Sequence, residues 1–224
     1  FPSFNTISGS GPNSSIIHYK ATNKSNRVLK KGDLYLVDSG GQYSFGTTDV
    51  TRTLSLENKS KYIKKIFTRV LKGHIAVSNF KVKKSSNGAE VDKEARKFLK
   101  QINLDYPHGT GHGVGFFLNV HEGPQSLSKN NKIKLKSGMI LSNEPGYYKN
   151  GNFGIRIENL VYIKNNKFEE LTFSPIEKEL IDKNLLTRNE IEWINSYHKL
   201  VQKKLFKFMN HGEKKDLKKA CLPI

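Results

Sequence analysis

The chain has 224 residues, 36% of them hydrophobic and 26% charged, and a net charge of +18. That length and apolar content suit a single globular domain with a real core, and no apolar run approaches the roughly 18–20 residues of a membrane span. The opening "FPSFNTISGSGPN" has neither the basic nor the apolar run of a signal peptide and no initiator Met, so a longer parent protein is expected, with any targeting segment upstream. One cysteine, Cys221, rules out an internal disulfide or a Cys-based metal cage and points to a reducing compartment. The positive charge would raise nucleic acid or an anionic membrane as partners. The lysines are dispersed and mixed with asparagine, however, as in "KNNKIKLK". No basic stripe with stacking aromatics stands out, so neither partner is expected.

In chain order, "DLYLVD" alternates and predicts a strand, with "TTDVTRTLSL" as its return strand. Ile63, Ile66, Phe67, Val70, Leu71 and Ile75 recur at three- and four-residue spacing and predict a helix over 59–79. A second helix is predicted over 90–102, with Ala95, Phe98, Leu99 and Ile102 on one face. The glycine-rich "HGTGHGVGFFLNVHEGP" and a lysine-rich loop follow. Then "GMILSNEPGYYKNGNFGIRIENLVYI" reads as two strands joined across Gly151. Thr187 and Glu190 have capping-box spacing and open a helix whose stripe is Ile191, Ile194, Tyr197, Val201 and Leu205. Strands mixed with helices, without strict alternation, predict an α+β fold.

The chemistry gathers around acids in the strands. Asp is depleted in strands, yet Asp38 and Asp49 flank a turn whose centre falls between Tyr43 and Ser44, which would set them opposite one another. Two carboxylates ~5 Å apart repel by about 3 kcal/mol at an effective dielectric of ~20, and a divalent cation between them reverses that sign. Glu144 and Glu158 repeat the arrangement about Gly151. A single pair reads more simply as solvated strand-end charge; two pairs beside a histidine segment shift the balance to metal. Arg156 lies two residues before Glu158, on the same strand face, where it forms a surface ion pair or orients a ligand carboxylate. Thr51 stands in the same relation to Asp49 and could donate its hydroxyl to it.

His108, His112 and His121 share the glycine-rich segment, and glycines flank His112, allowing close backbone approach. Four carboxylates and one imidazole make an oxygen-rich site suited to Mn, Co or Zn. The other two histidines would carry protons or donate hydrogen bonds. His18 alone reads as a core or loop residue, and His74 as a packing residue. His198 and His211 carry no signal.

The segments "GPNSSIIHY", "VDSGGQYSFGTTDVTRT", "VLKGHIAVS", "HGTGHGVGFFLNVHEGP", "NEPGYY" and "GIRIEN" resemble the catalytic domain of the Xaa-Pro aminopeptidases. These are pita-bread metallopeptidases, akin to prolidase and methionine aminopeptidase. The resemblance runs over nearly the whole chain. It implies a curved, mainly antiparallel sheet covered by helices, with the domain's two opening helices missing here. Residues 1–175 would form the catalytic domain and 176–224 a C-terminal extension with an amphipathic helix.

The resemblance implies that Asp38, Asp49, His112, Glu144 and Glu158 hold two divalent ions, usually manganese, with Asp49 and Glu158 bridging. His18, His108 and His121 match the histidines around the substrate, and Arg156 an arginine beside the bridging glutamate. The implied reaction is hydrolysis of the bond between an N-terminal residue and a following proline, with Glu144 handling the proton. A prolidase acting on X-Pro dipeptides is the alternative, and a non-catalytic peptide-binding module a more distant one. Peptides with proline second are the implied partners, together with a homodimer and a cytoplasmic setting. Pro107, before His108, replaces a leucine frequent in relatives.

Overall fold

The computed structural model describes residues 1–57 and 60–224. Its first sheet is antiparallel, with β2 (Leu34–Ser39) lying between β1 (Ile7–Ser10) and β5 (Val50–Ser55). A short hairpin of β3 (Gln42–Tyr43) and β4 (Gly46–Thr47) links β2 to β5. The alternation of β2 buries Leu34, Leu36 and Asp38 on one face, so the acid sits where the pattern calls for an apolar residue.

Expected opposite Asp49, Asp38 instead lies opposite Thr51. The hairpin turns through Ser44 and Phe45, closed by Tyr43 paired with Gly46, one residue beyond the expected centre. That displaces the register by two residues. Because strand side chains alternate with a period of two, a slip of two keeps both aspartates on one face, and both line the same cavity.

The second expected hairpin is continuous in register but broken into four strands. β8 (Ile140–Asn143) pairs with β11 (Asn159–Lys164), and β9 (Gly146–Lys149) pairs with β10 (Phe153–Arg156). Arg156 faces Gly146 on one side of the break and Asn159 faces Asn143 on the other. Glu144 and Glu158 therefore come opposite within the gap, as the midpoint at Gly151 predicts. Gly151 occupies the turn with φ +65°, a conformation glycine adopts without steric cost. The break has a cause in Pro145, which has no N–H to give the ladder. The N–H groups of Glu158 and Arg156 point out of this ladder, and they bond to the Thr51 carbonyl at 3.1 Å and to Thr53 Oγ1 at 3.0 Å. These bonds join the two sheets. β12 (Lys167–Glu170) completes the far edge beside β11.

Helix α1 spans Lys61–Ser78 and buries the predicted stripe; residue 59, the predicted start, lies outside the described residues. Helix α2 spans Gly88–Lys100, two residues earlier than expected, because Asn87 caps it by accepting from the Glu90 N–H. Helix α3, Arg188–Leu205, has the predicted capping box. Helix α4, His211–Ala220, and the short strands β1, β6 (Gly111–His112), β7 (Ser126–Leu127) and β12 had no sequence signal, since such brief elements show too little periodicity. Ile194, Tyr197 and Val201 of α3 and Leu217 of α4 share one buried cluster with Phe67 and Leu71 of α1. Among the described residues, no helix is long and apolar enough to cross a membrane.

Two histidines lie within this framework. His74 on α1 is fully buried, its Nδ1 3.1 Å from the Asn143 carbonyl, and burial lowers its pKa to about 3. His198 is also buried, accepts the Ile176 N–H at Nε2, and is lowered to about 4, by burial first and then by Lys178. Both are neutral in the fold, so their contribution is whole above the ordinary value of 6.5 and is lost as pH falls toward 4 and 3. Lowering the pH from 7 to 5 should accordingly raise the urea midpoint of His198→Asn relative to that of the wild-type protein.

Candidate metal centre

Five elements deliver five potential ligands to one cavity of about 540 Å³. Asp38 comes from β2, Asp49 from the entry to β5, His112 from β6, and Glu144 and Glu158 from the two sides of the ladder break. Ligand atoms of Asp49, His112 and Glu158 lie within 4.8 Å of one another. His112 Nε2 is 3.5 Å from both Asp49 Oδ2 and Glu144 Oε1. Its Nδ1 donates to the Gly113 carbonyl at 2.9 Å, which leaves the Nε2 lone pair facing the acids. Gly111 is needed here: a Cβ would collide with the Ser142 carbonyl, so only glycine lets β6 lie flush against β8. The Ser142 hydroxyl accepts the His112 N–H at 2.9 Å and donates to Glu144 Oε1 at 3.0 Å.

The charge balance explains what this arrangement can hold. Burial, followed by repulsion from Asp38 and Glu144, pushes Asp49 up to about 9. Burial and then Asp49 and Asp38 raise Glu158 well above the usual carboxylate range. Arg156 Nη2 pairs with Asp38 Oδ2 at 2.7 Å, and both residues are buried, so this is no surface ion pair. Thr51 does not serve Asp49 as expected: its hydroxyl donates to Glu158 Oε2 at 2.5 Å and accepts from Arg156 Nε at 3.0 Å. The bond from the Glu158 N–H to the Thr51 carbonyl, which joins the two sheets, brings Thr51 to Glu158. Asp38 Oδ1 and Asp49 Oδ1 are buried with no hydrogen-bond partner among the described residues. Buried carboxylate oxygens without donors, with one imidazole, fit divalent cations that favour oxygen and nitrogen ligands.

The remaining histidines divide into two kinds. His108 is tied at both nitrogens, with Nδ1 donating to the Gly109 carbonyl at 2.7 Å and Nε2 accepting from Tyr148 Oη at 2.9 Å. Tyr148 also accepts from Arg156 Nη1 at 2.7 Å, and burial raises its hydroxyl to about 12, so it stays a donor. His18 and His121 are exposed on the cavity wall and hydrogen-bond to no described residue. His121 stands edge-on to His112, ring centroids 4.2 Å apart. Burial lowers the pKa of both His108 and His121, with His112 adding to the effect on His121. Tyr148 had no role assigned from sequence, though its place four residues after Glu144 in "NEPGYY" was a usable signal.

Two family models account for the chain. The model of metallopeptidase family M24 matches residues 1–165, and that of the C-terminal region of peptidase M24 matches residues 164–224. The chain belongs to metallopeptidase family M24. Among its family relatives, a probable Xaa-Pro aminopeptidase P of Coprinopsis cinerea is 45% identical over 99% of this chain and 38% of its own length. Aminopeptidase P2 of Arabidopsis thaliana is 48% identical over 91% of this chain and 31% of its own. The chain thus spans about a third of the length of these curated relatives. The solved X-prolyl aminopeptidase of Caenorhabditis elegans, described as a cytosolic enzyme with a di-nuclear active site, matches all of this chain and 39% of that one, at TM-score 0.93 and 39% identity. A prolidase of Pyrococcus furiosus matches 77% of this chain and 50% of that one, at TM-score 0.70 and 31% identity. The α+β, pita-bread fold expected from sequence is the fold of this M24 chain.

Arg156 is the cation that offsets Asp38 in the buried cluster, and removing one partner of such a pair strands the other. Arg156→Met should lower the stability of metal-free protein by about 3–5 kcal/mol, measured by urea denaturation.

Proposed function

We propose that this chain carries the active site of a dinuclear metallo-aminopeptidase, which removes the N-terminal residue from peptides whose second residue is proline. The observation that supports this most is the convergence of Asp38, Asp49, His112, Glu144 and Glu158 on one cavity, with buried aspartate oxygens facing no donor among the described residues. The aminopeptidase P relatives are 45% and 48% identical to this chain, and the prolidase 31%. That difference favours the aminopeptidase over a dipeptidase.

In this reading the five residues hold two divalent cations, Mn(II) foremost, with Zn or Co able to substitute. When bound, such ions supply Lewis acidity and a water that loses its proton near neutral pH. Glu144 is the most accessible of the four acids, its side chain 17% exposed, and it accepts the proton from the attacking water and returns it to the leaving nitrogen. His121, with no hydrogen-bond partner among the described residues, donates a hydrogen bond to the oxygen where negative charge develops. His18, on the same wall, flanks the proline, whose imide nitrogen carries no hydrogen and needs a shaped pocket. His108 is held as a fixed ring by Tyr148, while Arg156, 2.7 Å from Asp38, holds that carboxylate in place. A homodimer and a cytoplasmic setting complete the reading, the first to be checked by sedimentation.

Metal analysis of the intact enzyme should find two divalent ions per chain, and Glu144→Ala should abolish turnover while the fold is kept. Absence of metal, or activity in that variant, would overturn the mechanism. Mn(II) added to stripped protein at 100 times its Kd should stabilise it in thermal melts by about 2.7 kcal/mol for each site filled. Peptides of the Arg-Pro-Pro type should be cleaved in preference to free X-Pro dipeptides; turnover of dipeptides alone would make the enzyme a prolidase.

A further inference from the structure

Directly behind the two glutamates lies a buried polar network that the proposed reaction does not use. Arg52 alternates with Thr51 on β5 and points to the face away from the cavity, where it is 6% exposed. Its Nη1 donates to the Glu158 carbonyl at 2.6 Å, and its Nη2 to Asn159 Oδ1 at 2.7 Å and to the Ser174 carbonyl at 2.8 Å. Nε donates to the Pro175 carbonyl at 2.9 Å. The guanidinium thus ties the backbone of one proposed ligand to the segment leading into the C-terminal helices. Tyr197 of α3 closes the network, accepting from Arg52 Nη2 at 3.1 Å and Asn159 Nδ2 at 3.2 Å, and donating to the Ser174 carbonyl at 2.9 Å.

The same face of α3 reaches the other glutamate. Trp193, one turn before Tyr197, stacks on it with ring centroids 5.3 Å apart and planes 3° from parallel. Trp193 also meets His74 edge-on at 5.9 Å. His74 and Asn143 clamp each other: Nδ1 donates to the Asn143 carbonyl at 3.1 Å, and Asn143 Nδ2 donates to the His74 carbonyl at 3.0 Å. Asn143 immediately precedes Glu144, and Asn159 immediately follows Glu158.

We infer that α3 braces the metal centre, with Tyr197 fixing the Glu158 side through Arg52 and Asn159, and Trp193 fixing the Glu144 side through His74 and Asn143. A helix serving only as core would present apolar contacts. This one presents a hydroxyl to a buried guanidinium whose other donors go to the Asn159 side chain and to main-chain carbonyls on both sides of the junction. The glutamates repel each other and stand in a ladder break, so no strand hydrogen bonds hold them to one another. Their spacing depends on what lies behind them. Arg52, Trp193 and Tyr197 are positioning residues, and their assignment rests on the metal reading above.

The test compares Tyr197→Phe and Arg52→Lys with Val201→Ala, which thins the same cluster without touching the network. In the intact protein, Mn(II) affinity is measured by calorimetry, and amide exchange at Glu158 and Asn159 is measured without metal. Tyr197→Phe should weaken Mn(II) binding by about 10- to 100-fold and speed exchange at Glu158. Arg52→Lys should do the same, and Val201→Ala should lower the melting temperature with affinity and local exchange unchanged. Wild-type affinity and exchange in Tyr197→Phe, or equal losses in Val201→Ala, would overturn the brace. Failure of the wild-type protein to bind Mn(II) would instead overturn the metal reading, and the exchange comparison would then decide the brace on its own.

Discussion

Negative charge taken out of water is the constraint around which this molecule is arranged. Asp38, Asp49 and Glu158 are each 7% exposed or less, and Glu144 faces the same cavity. A buried carboxylate costs several kcal/mol unless it is paired or coordinated. Within the chain, Arg156 answers Asp38 and the Thr51 hydroxyl answers Glu158. The raised pKa values of Asp49 and Glu158 express what is left uncompensated. A site of this kind is poorly suited to stability and well suited to divalent cations.

The backbone is shaped to hold that charge. The ladder of β8–β9 against β10–β11 breaks where Pro145 withholds a donor, and beside it the outward-facing Glu158 N–H crosses to β5. The two carboxylates stand at this interruption, and the outward N–H groups of Arg156 and Glu158 stitch the sheets together beside them. Thr51 and Thr53 of β5 both take part, one through its carbonyl and hydroxyl, the other through a hydroxyl exchanged with the backbone of Arg156. The C-terminal region is part of this structure, since α3 shares a buried cluster with α1 and its Tyr197 meets Arg52 behind the seam.

The helix periodicities and the capping box of α3 could be read locally, because helical contacts span three or four residues. The hairpin centred on Gly151 was legible for a similar reason: one glycine with positive φ locates the turn, and the register follows from it. The hairpin after Asp38 was misplaced by one residue because Ser44–Phe45 carries no such mark. The face of the aspartates survived the error since strand geometry repeats every two residues; the partner of Thr51, Glu158, lies 107 positions away, beyond any hairpin register. Arg52 was invisible as a contributor, because its partners lie 106 to 145 positions away.

What the sequence determined by itself was the set of acids and the histidine-bearing glycine segment, together with the motif order that resembles a metallopeptidase. These are properties of residue type and spacing, and they persist whichever way the chain folds. Only the tertiary structure decided which oxygens lack donors, that Thr51 serves Glu158 and not Asp49, that His108 is tied at both nitrogens, and that α3 stands behind the glutamates. Each of those depends on desolvation and on hydrogen-bond partners drawn from distant segments, quantities with no local imprint. The two aspartates in the strand announce a site; the packing around them decides its charge.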